Sequence, residues 1–287
     1  MRYEAPETLD AAVSLLAHAG GEAHVLAGGT DLLVQMRAGR VAPSLLVDIK
    51  RIPELRSIAP CNGGWRIGAA VTGMELIEHE SFAAAWPGIV EAVGMIGSIQ
   101  VKGRATLAGN LCNASPAADS VPALIAADAL VTLAGPAGRR EVPVEQIAIG
   151  PGRTSLVPGE ILVSFLLPPR PPRSADAYLR FTPRTEMDIA VVGAGVNLTL
   201  DPGGTCREAR VSLGAVAQRA LLIPEAAAAL VGTRIDDAAL QRLAQAASAA
   251  CRPIDDKRGT REFRTTVAGV LARRAAQRAL ERARRAS

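Results

Sequence analysis

The sequence predicts an α+β protein in which a two-part N-terminal domain precedes a C-terminal domain. Short apolar runs typical of strands alternate with helical periodicity through residues 1–168. The segment Pro168–Pro172 then interrupts this pattern as a stiff, proline-rich linker. Beyond the linker, strand-like segments come first and helical segments follow. This order predicts a domain over residues 173–287 with a three-stranded antiparallel sheet and a helical bundle.

The first subdomain, residues 1–55, is predicted to be a small βαβ unit. Its first helix is expected over Pro6–His18, because apolar residues recur there at helical spacing after Thr8, a residue type that caps helices. The other predicted features are an end to that helix at Gly20-Gly21, strands over Ala23–Ala27 and Leu45–Ile49, and a helical turn over Asp31–Arg37.

The second subdomain, residues 56–168, is predicted to mix helices and strands. Thr72 is expected to open one helix, and a second helix is expected over Trp86–Ile99, which is rich in small residues. The other predicted elements are strands over Trp65–Ala70 and Leu130–Leu133, a helix over Val121–Ala127, and further elements over Pro143–Ile147 and Ile161–Leu167.

The C-terminal domain is predicted as a meander followed by helices. The strands are expected over Ala177–Thr182, Ile189–Leu200 and Ala209–Ala217, with Gly203-Gly204 as a turn, and the helices over Pro224–Leu230, Asp237–Cys251 and Val267–Arg285. Gly193-Ala-Gly195 does not complete the dinucleotide-binding fingerprint, because the sixth position is Leu198 and no helix is expected there. It is interpreted as part of a strand.

Two glycine-bearing stretches with little charge give the main functional signal. They are Val25–Leu33, which reads VLAGGTDLL, and Ala105–Ser120, which reads ATLAGNLCNASPAADS. Gly109 can take positive φ, and it lets the main chain approach a ligand without a Cβ in the way. One such loop alone would equally indicate a tight turn. The pair predicts a pyrophosphate held by main-chain N–H groups, with Thr30 and Asn110 as side-chain ligands or as turn caps.

Composition excludes several classes of protein. The chain has 287 residues, 49% of them hydrophobic, so a full core rather than disorder is expected. Neither a signal peptide nor a membrane span is predicted, which favours a cytoplasmic location. Four scattered cysteines and three histidines show no metal-ligand spacing. Only 3% of the residues are aromatic, and the basic end has no series of them that could act as a stacking platform, so a nucleic-acid partner is not expected.

The two loops together make the chain resemble the FAD-binding medium subunits of the molybdenum hydroxylases, the family of xanthine dehydrogenase and carbon monoxide dehydrogenase. Arg184–Val192 and Asp255–Arg264 also resemble that family. The resemblance implies FAD on this chain, a large partner subunit with the molybdenum cofactor and a small one with [2Fe-2S] clusters, as a heterotrimer or its dimer. It also implies that electrons pass from those clusters to the flavin and then to NAD or another acceptor. One departure is Ala108, where the family commonly has glycine.

The resemblance also implies individual flavin contacts. Asp119, Leu162 and Arg180 match flavin-contacting positions, although Asp119 could instead cap the helix at Val121 and Arg180 could lie on the surface. The scarcity of aromatic residues favours aliphatic packing against the ring by Ile96 and Leu162. The complete set of predicted cofactor-binding residues is Val25, Leu26, Ala27, Gly28, Gly29, Thr30, Asp31, Leu32, Ile96, Thr106, Ala108, Gly109, Asn110, Asp119, Leu162 and Arg180.

Two other functions stay open at this point. The first is a free-standing FAD-dependent oxidoreductase of the same fold superfamily, such as an enolpyruvyl-sugar reductase, which would need its own acid catalyst near the flavin. The second is a basic scaffold or nucleic-acid binder, since residues 252–287 hold eleven Lys and Arg against four Asp and Glu. A hydrolase is disfavoured because no G-x-S-x-G motif occurs.

Overall fold

The N-terminal unit of the protein is a three-stranded parallel sheet flanked by helices. A computed structural model describes residues 1–19 and 23–286. The predicted helix end at Gly20-Gly21 therefore lies outside the described residues. The elements are β1 (Arg2–Glu4), α1 (Leu9–His18), β2 (Ala23–Leu26), α2 (Leu32–Arg37) and β3 (Leu45–Asp48). The strand order is β1-β3-β2, and β3 is buried along its whole length because it lies in the middle.

This unit differs from the prediction mainly at its start. Strand β1 was not expected, because three residues at a chain end give no usable periodicity. The first helix begins at Leu9 rather than Pro6, since Thr8 has extended backbone and its hydroxyl accepts a hydrogen bond from Ala11 N–H.

The second unit contains a five-stranded antiparallel sheet with the order β4-β5-β10-β6-β7. Its central strand β10 is buried almost throughout. The strands are β4 (Ile58–Cys61), β5 (Gly64–Gly68), β6 (Leu130–Gly135), β7 (Gly138–Pro143) and β10 (Ile161–Leu167), and β8 (Ala148–Gly150) pairs separately with β9 (Arg153–Thr154). The element predicted over Pro143–Ile147 is the end of β7 followed by a 3-10 turn over Val144–Gln146.

Six short helices accompany this sheet. They are α3 (Gly73–Glu78), α4 (Glu80–Ala85), α5 (Pro87–Gly94), α6 (Ile99–Lys102), α7 (Leu107–Cys112) and α8 (Ser120–Ala126). The single helix predicted over Trp86–Ile99 is wrong, because the chain turns after Gly94 with Gly97 at φ 55°. The Ser98 hydroxyl then caps α6 by accepting from Val101 N–H. Thr72 and Glu75 form a capping box at α3.

The C-terminal sheet has four strands, so the prediction of three was wrong. The strands are β11 (Ser174–Phe181), β12 (Val192–Leu200), β13 (Cys206–Gly214) and β14 (Leu221–Leu222), in sequential antiparallel order. Strand β14 has only two residues and pairs with Ser212 and Leu213, too short a segment to show alternation. The second strand begins at Val192 rather than Ile189.

Three helices follow this sheet, namely α9 (Pro224–Ala228), α10 (Asp237–Ala250) and α11 (Arg261–Arg285). Alanines and glycines of α11 are buried, which allows close helix packing: a Cβ on Gly269 would lie 2.8 Å from the Ala244 carbonyl oxygen of α10. Several arginines of the basic end are paired within the chain. Arg278 and Arg282 contact Glu91, and Arg264 is buried beside Asp256.

Helix α8 lies between the two halves of the protein. All seven of its residues are buried. A Cβ on Gly195 would lie 2.7 Å from the Pro122 carbonyl oxygen, and one on Gly214 would lie 2.6 Å from the Pro122 side chain. Gly195 of the Gly193-Ala-Gly195 stretch therefore allows helix α8 to pack closely against strand β12, because it has no side chain. No helix in the described part of the chain is long and apolar enough to cross a membrane.

Candidate functional site

The two glycine loops meet in the fold, one from each N-terminal subdomain. A Cβ on Gly28 would lie 1.9 Å from the Arg104 carbonyl oxygen and 3.0 Å from Ala105 N. Only glycine fits here, because a side chain would overlap the backbone of the second loop. Gly29 has φ 78°, a conformation that favours glycine and turns the chain from β2 towards α2.

A cavity of about 410 Å³ lies where these loops converge. Thirteen of the sixteen predicted site residues line it: Val25, Ala27, Gly28, Gly29, Thr30, Asp31, Leu32, Ile96, Thr106, Ala108, Gly109, Asn110 and Leu162. Leu26, Asp119 and Arg180 do not line the cavity. No lysine or arginine side chain of the described residues lines it either. A polar ligand in this cavity would therefore depend on main-chain groups and neutral side chains.

The first loop presents a run of unused donors. Among the residues that the structure describes, none accepts a hydrogen bond from the backbone N–H groups of Gly28, Gly29, Thr30 and Asp31. These groups come directly before helix α2, which begins at Leu32. Consecutive free N–H groups in a tight turn form a concave site for an anion.

Lys50 fixes the peptide that opens this loop, a role that the sequence analysis missed. Its ammonium group donates to the Ala27 carbonyl oxygen at 3.0 Å and contacts Asp48 at 2.7 Å. Because a trans peptide places its carbonyl and its N–H on opposite sides, this contact directs Gly28 N–H away from Lys50. Tyr3 donates to the same Asp48. Although burial opposes it, hydrogen bonds from Lys50 and Tyr3 hold the pKa of Asp48 below its usual range.

The second loop is mostly helical, contrary to the prediction. Gly109 lies inside α7 and does not use the positive φ that is open to a glycine. The Thr106 hydroxyl accepts a hydrogen bond from Gly109 N–H at 2.9 Å and caps this helix. A Cβ on Gly109 would meet only that hydroxyl, at 3.1 Å, so the position is otherwise open.

Asn110 caps the next helix as well as lining the cavity. Its amide oxygen accepts hydrogen bonds from Ser120 N–H at 3.2 Å and from the Ser120 hydroxyl at 2.6 Å. Asp119 precedes the same helix but makes no side-chain cap, so the capping role considered for it was wrong. One side chain thus links the cavity wall to the N-terminus of α8.

Asp119 belongs to a buried polar cluster beside the cavity. It accepts hydrogen bonds from the Tyr178 hydroxyl at 3.0 Å and from the Arg180 guanidinium at 2.8 Å. Burial raises the pKa of Asp119 to about 6, although Arg180 and Tyr178 both oppose that rise. The Arg180 side chain is 3% exposed, so the alternative of a surface arginine was wrong.

Arg180 also joins two chain segments. It donates to the carbonyl oxygens of Met95 at 2.9 Å and of Asp188 at 3.4 Å. Met95 precedes Ile96, which lines the cavity. Asp119 and Arg180 therefore contact neighbours of the cavity wall rather than the cavity itself.

Gln35 and Asn113 are hydrogen-bonded at the cavity, a pairing that no sequence pattern indicated. The Gln35 amide donates to the Asn113 side-chain oxygen at 2.9 Å, and both residues line the cavity. This bond joins α2 of the first subdomain to the end of α7 in the second. Asp31 also lines the cavity, and burial raises the pKa of its carboxyl group.

Two family models account for most of the chain. Residues 1–170 match the FAD binding domain in molybdopterin dehydrogenase, and residues 177–279 match the CO dehydrogenase flavoprotein C-terminal domain. The gap between these two matches includes Pro171 and Pro172 of the proline-rich segment.

Whole-length relatives agree with these matches. The chain is 36% identical over 282 residues to the carbon monoxide dehydrogenase medium chain of Afipia carboxidovorans, covering 98% of this chain and 97% of that one. It is 33% identical over 264 residues to the putative xanthine dehydrogenase FAD-binding subunit of Escherichia coli, covering 91% and 90%. The structure of reconstituted CO dehydrogenase from Oligotropha carboxidovorans matches with a TM-score of 0.95 at 35% identity, covering 98% of both chains. The chain therefore belongs to the molybdopterin dehydrogenase FAD-binding family, which includes the medium subunits of oxidoreductases of the carbon monoxide and xanthine dehydrogenase type.

Proposed function

We propose that this chain holds FAD between its two glycine loops and is the electron-transfer subunit of a molybdenum hydroxylase complex in the cytoplasm. In this proposal, a large partner subunit with the molybdenum cofactor oxidises the substrate. Electrons then pass through [2Fe-2S] clusters of a small partner subunit to the flavin and on to NAD or another acceptor. The observation that supports it most is the convergence of the two loops, with four consecutive N–H groups unused in the first.

The residues present fit the diphosphate of FAD. The free N–H groups of Gly28–Asp31 can donate to phosphate oxygens without a cation. Thr30 and the amide group of Asn110 add neutral polar groups, while Ile96 and Leu162 add aliphatic surface for ring faces. When bound, the flavin supplies the ability to accept and release electrons one or two at a time. The chain's own part is to bind the cofactor, orient it and restrict its access to water.

An exposed apolar patch supports a partner subunit near the cavity. We use the name rim patch for Met95, Ile99, Met187 and Ile189, four exposed side chains. Arg180 contacts the carbonyl oxygens of Met95 and Asp188 and so holds together the two segments that bear these side chains. We propose that the iron–sulfur subunit covers this patch, close to the Ile96 end of the cavity. A relative from Paenarthrobacter nicotinovorans, 30% identical, is named as a subunit of the 6-hydroxypseudooxynicotine dehydrogenase complex.

Flavin binding is tested on the purified full-length chain. We expect the protein, after incubation with FAD and desalting, to retain flavin absorbance at close to one FAD per chain. A preparation that retains no flavin, although circular dichroism shows it to be folded, would contradict the proposal.

Assembly needs a separate measurement. The chain is co-expressed with candidate large molybdenum-cofactor and small iron–sulfur subunits from the same genome, and the complex is isolated by a tag on this chain. We expect both partners to co-purify, and Ile189→Asp within the rim patch to weaken their retention without loss of FAD. A chain that reduces a substrate alone, without partners, would favour a free-standing flavoenzyme instead.

A further inference from the structure

His24 is the one histidine of the described residues whose buried ring nitrogen has no partner. It lies on strand β2 and lines the cavity, and its Nδ1 atom is buried without a hydrogen bond. The Nδ1 atoms of the two other histidines have hydrogen-bond partners close to them in the sequence. His79 Nδ1 accepts from Phe82 N–H, and His18 Nδ1 contacts the Ser14 carbonyl oxygen. His24 therefore differs from both in having an unused polar atom at a ligand cavity.

A buried polar atom without a partner is unfavourable unless something else supplies the hydrogen bond. Neutral imidazole can offer either a donor or an acceptor at Nδ1, because its tautomer follows the partner it meets. Val25 and Val41, which line the same cavity, are aliphatic. An aliphatic surface with one adaptable polar atom suits a planar heterocycle with polar edges, such as a purine.

The place of His24 along the cavity decides which half of a dinucleotide it meets. It lies on β2 four residues before Gly28, so the chain can separate it from the diphosphate-binding turn by up to about 13 Å. Ile96, in contrast, neighbours Met95 of the rim patch, where a redox partner must approach. On the proposed function the reactive ring lies beside Ile96 of the second subdomain, which leaves the adenosine half for the first subdomain, where His24 lies on β2.

We propose that His24 binds the adenosine half of FAD and makes the chain select FAD over FMN. This inference rests on the proposed function. It adds a specificity residue that lies before the first glycine loop and outside the residues predicted from the sequence.

The test compares ligands that contain one half or both halves. Dissociation constants of FAD, FMN and ADP are measured on the cofactor-free full-length protein by flavin fluorescence and by competition. The variants are His24→Leu, His24→Asn, which keeps a polar atom near the Nδ1 position, and His18→Leu as a matched control at an exposed position of helix α1. Thermal melting of each variant checks that it is folded.

We expect His24→Leu to weaken binding of FAD and ADP by about tenfold, while FMN binding stays within about twofold. His24→Asn is expected to recover most of the loss, and His18→Leu to bind all three ligands as the parent does. Unchanged FAD and ADP binding by His24→Leu, or an equal loss for FMN, would overturn the role of His24. If the parent protein itself failed to bind FAD, the proposed function would fail instead.

Discussion

The carbonyl oxygen of Arg104 occupies the space that a Cβ atom on Gly28 would need, 1.9 Å from the ideal position. This contact places the first glycine loop of one subdomain directly against the second loop of the other. Because Gly28 has no side chain, the two loops can pack against each other. The unused N–H groups of the first loop are then available to a ligand.

Gly28→Ala should separate the loops, because the methyl group overlaps backbone that cannot rotate away. We expect a loss of about 1–3 kcal/mol in the free energy of unfolding, typical of overpacking, together with loss of bound FAD. Gly94→Ala is the matched control, since a Cβ there meets nothing within 4 Å. Urea unfolding and flavin retention measure the two effects, and a Gly28→Ala protein with full flavin occupancy would refute the arrangement.

Lys50→Met should loosen the first loop without changing any residue that lines the cavity. The Ala27 carbonyl oxygen would lose its donor and Asp48 its cation, at a cost of about 1–2 kcal/mol in unfolding free energy. We also expect several-fold weaker FAD binding, because Gly28 N–H would no longer be held in one direction. Lys257→Met, at an exposed position, is the control. Equal FAD affinity in both variants would show that Lys50 is only structural.

Asn110→Asp separates the two roles of Asn110. An aspartate oxygen can still accept from Ser120, so the cap of α8 and the melting temperature should be retained. The added negative charge would repel phosphate, and we expect FAD affinity to fall by about tenfold or more. Asn110→Ala should instead lose both the cap of α8 and the contact with FAD, and the lost cap should lower the free energy of unfolding by about 1 kcal/mol. A strong fall in the melting temperature of Asn110→Asp would count against this division.

Asp119 should give the protein a specific pH dependence of stability. Its pKa in the folded protein is about 6, above the ordinary 3.8, so between these values the folded state binds more protons than the unfolded state. The stabilisation is thus fully present below about pH 3.8 and is lost as pH rises through about 6. We expect the unfolding free energy of the parent, relative to Asp119→Asn, to fall by about 1.4 kcal/mol per pH unit across that window. A difference that is independent of pH would contradict this account of the buried cluster.

Local signals in the sequence, with the family resemblance, were sufficient to predict about half of the residues that line the cavity. Gly28-Gly29 and Gly109-Asn110 stand out because small polar residues with little charge follow apolar strands or helices, and the resemblance places Leu162 with them. Short-range patterns also predicted the buried strand β10 and helix α10. The short strands β1 and β14 were missed because two or three residues show no period.

Contacts between distant parts of the chain could not be predicted in this way. Lys50 with Ala27, Gln35 with Asn113 and Asn110 with Ser120 are partners that only the folded chain brings together. The capping role assigned to Asp119 failed for the same reason, since its carboxylate is engaged by Tyr178 and Arg180 from strand β11. His24 was unremarkable as a sequence position and became distinctive only through its burial at the cavity.

The absence of lysine and arginine from the cavity lining of the described residues has a consequence for handling the protein. Attraction between a diphosphate and lysine or arginine weakens as ionic strength rises, because mobile ions screen both charges. Peptide N–H dipoles at contact distance inside a cleft leave far less room for such screening. A purification through concentrated sodium chloride should therefore leave the yellow colour with the polypeptide rather than in the flow-through.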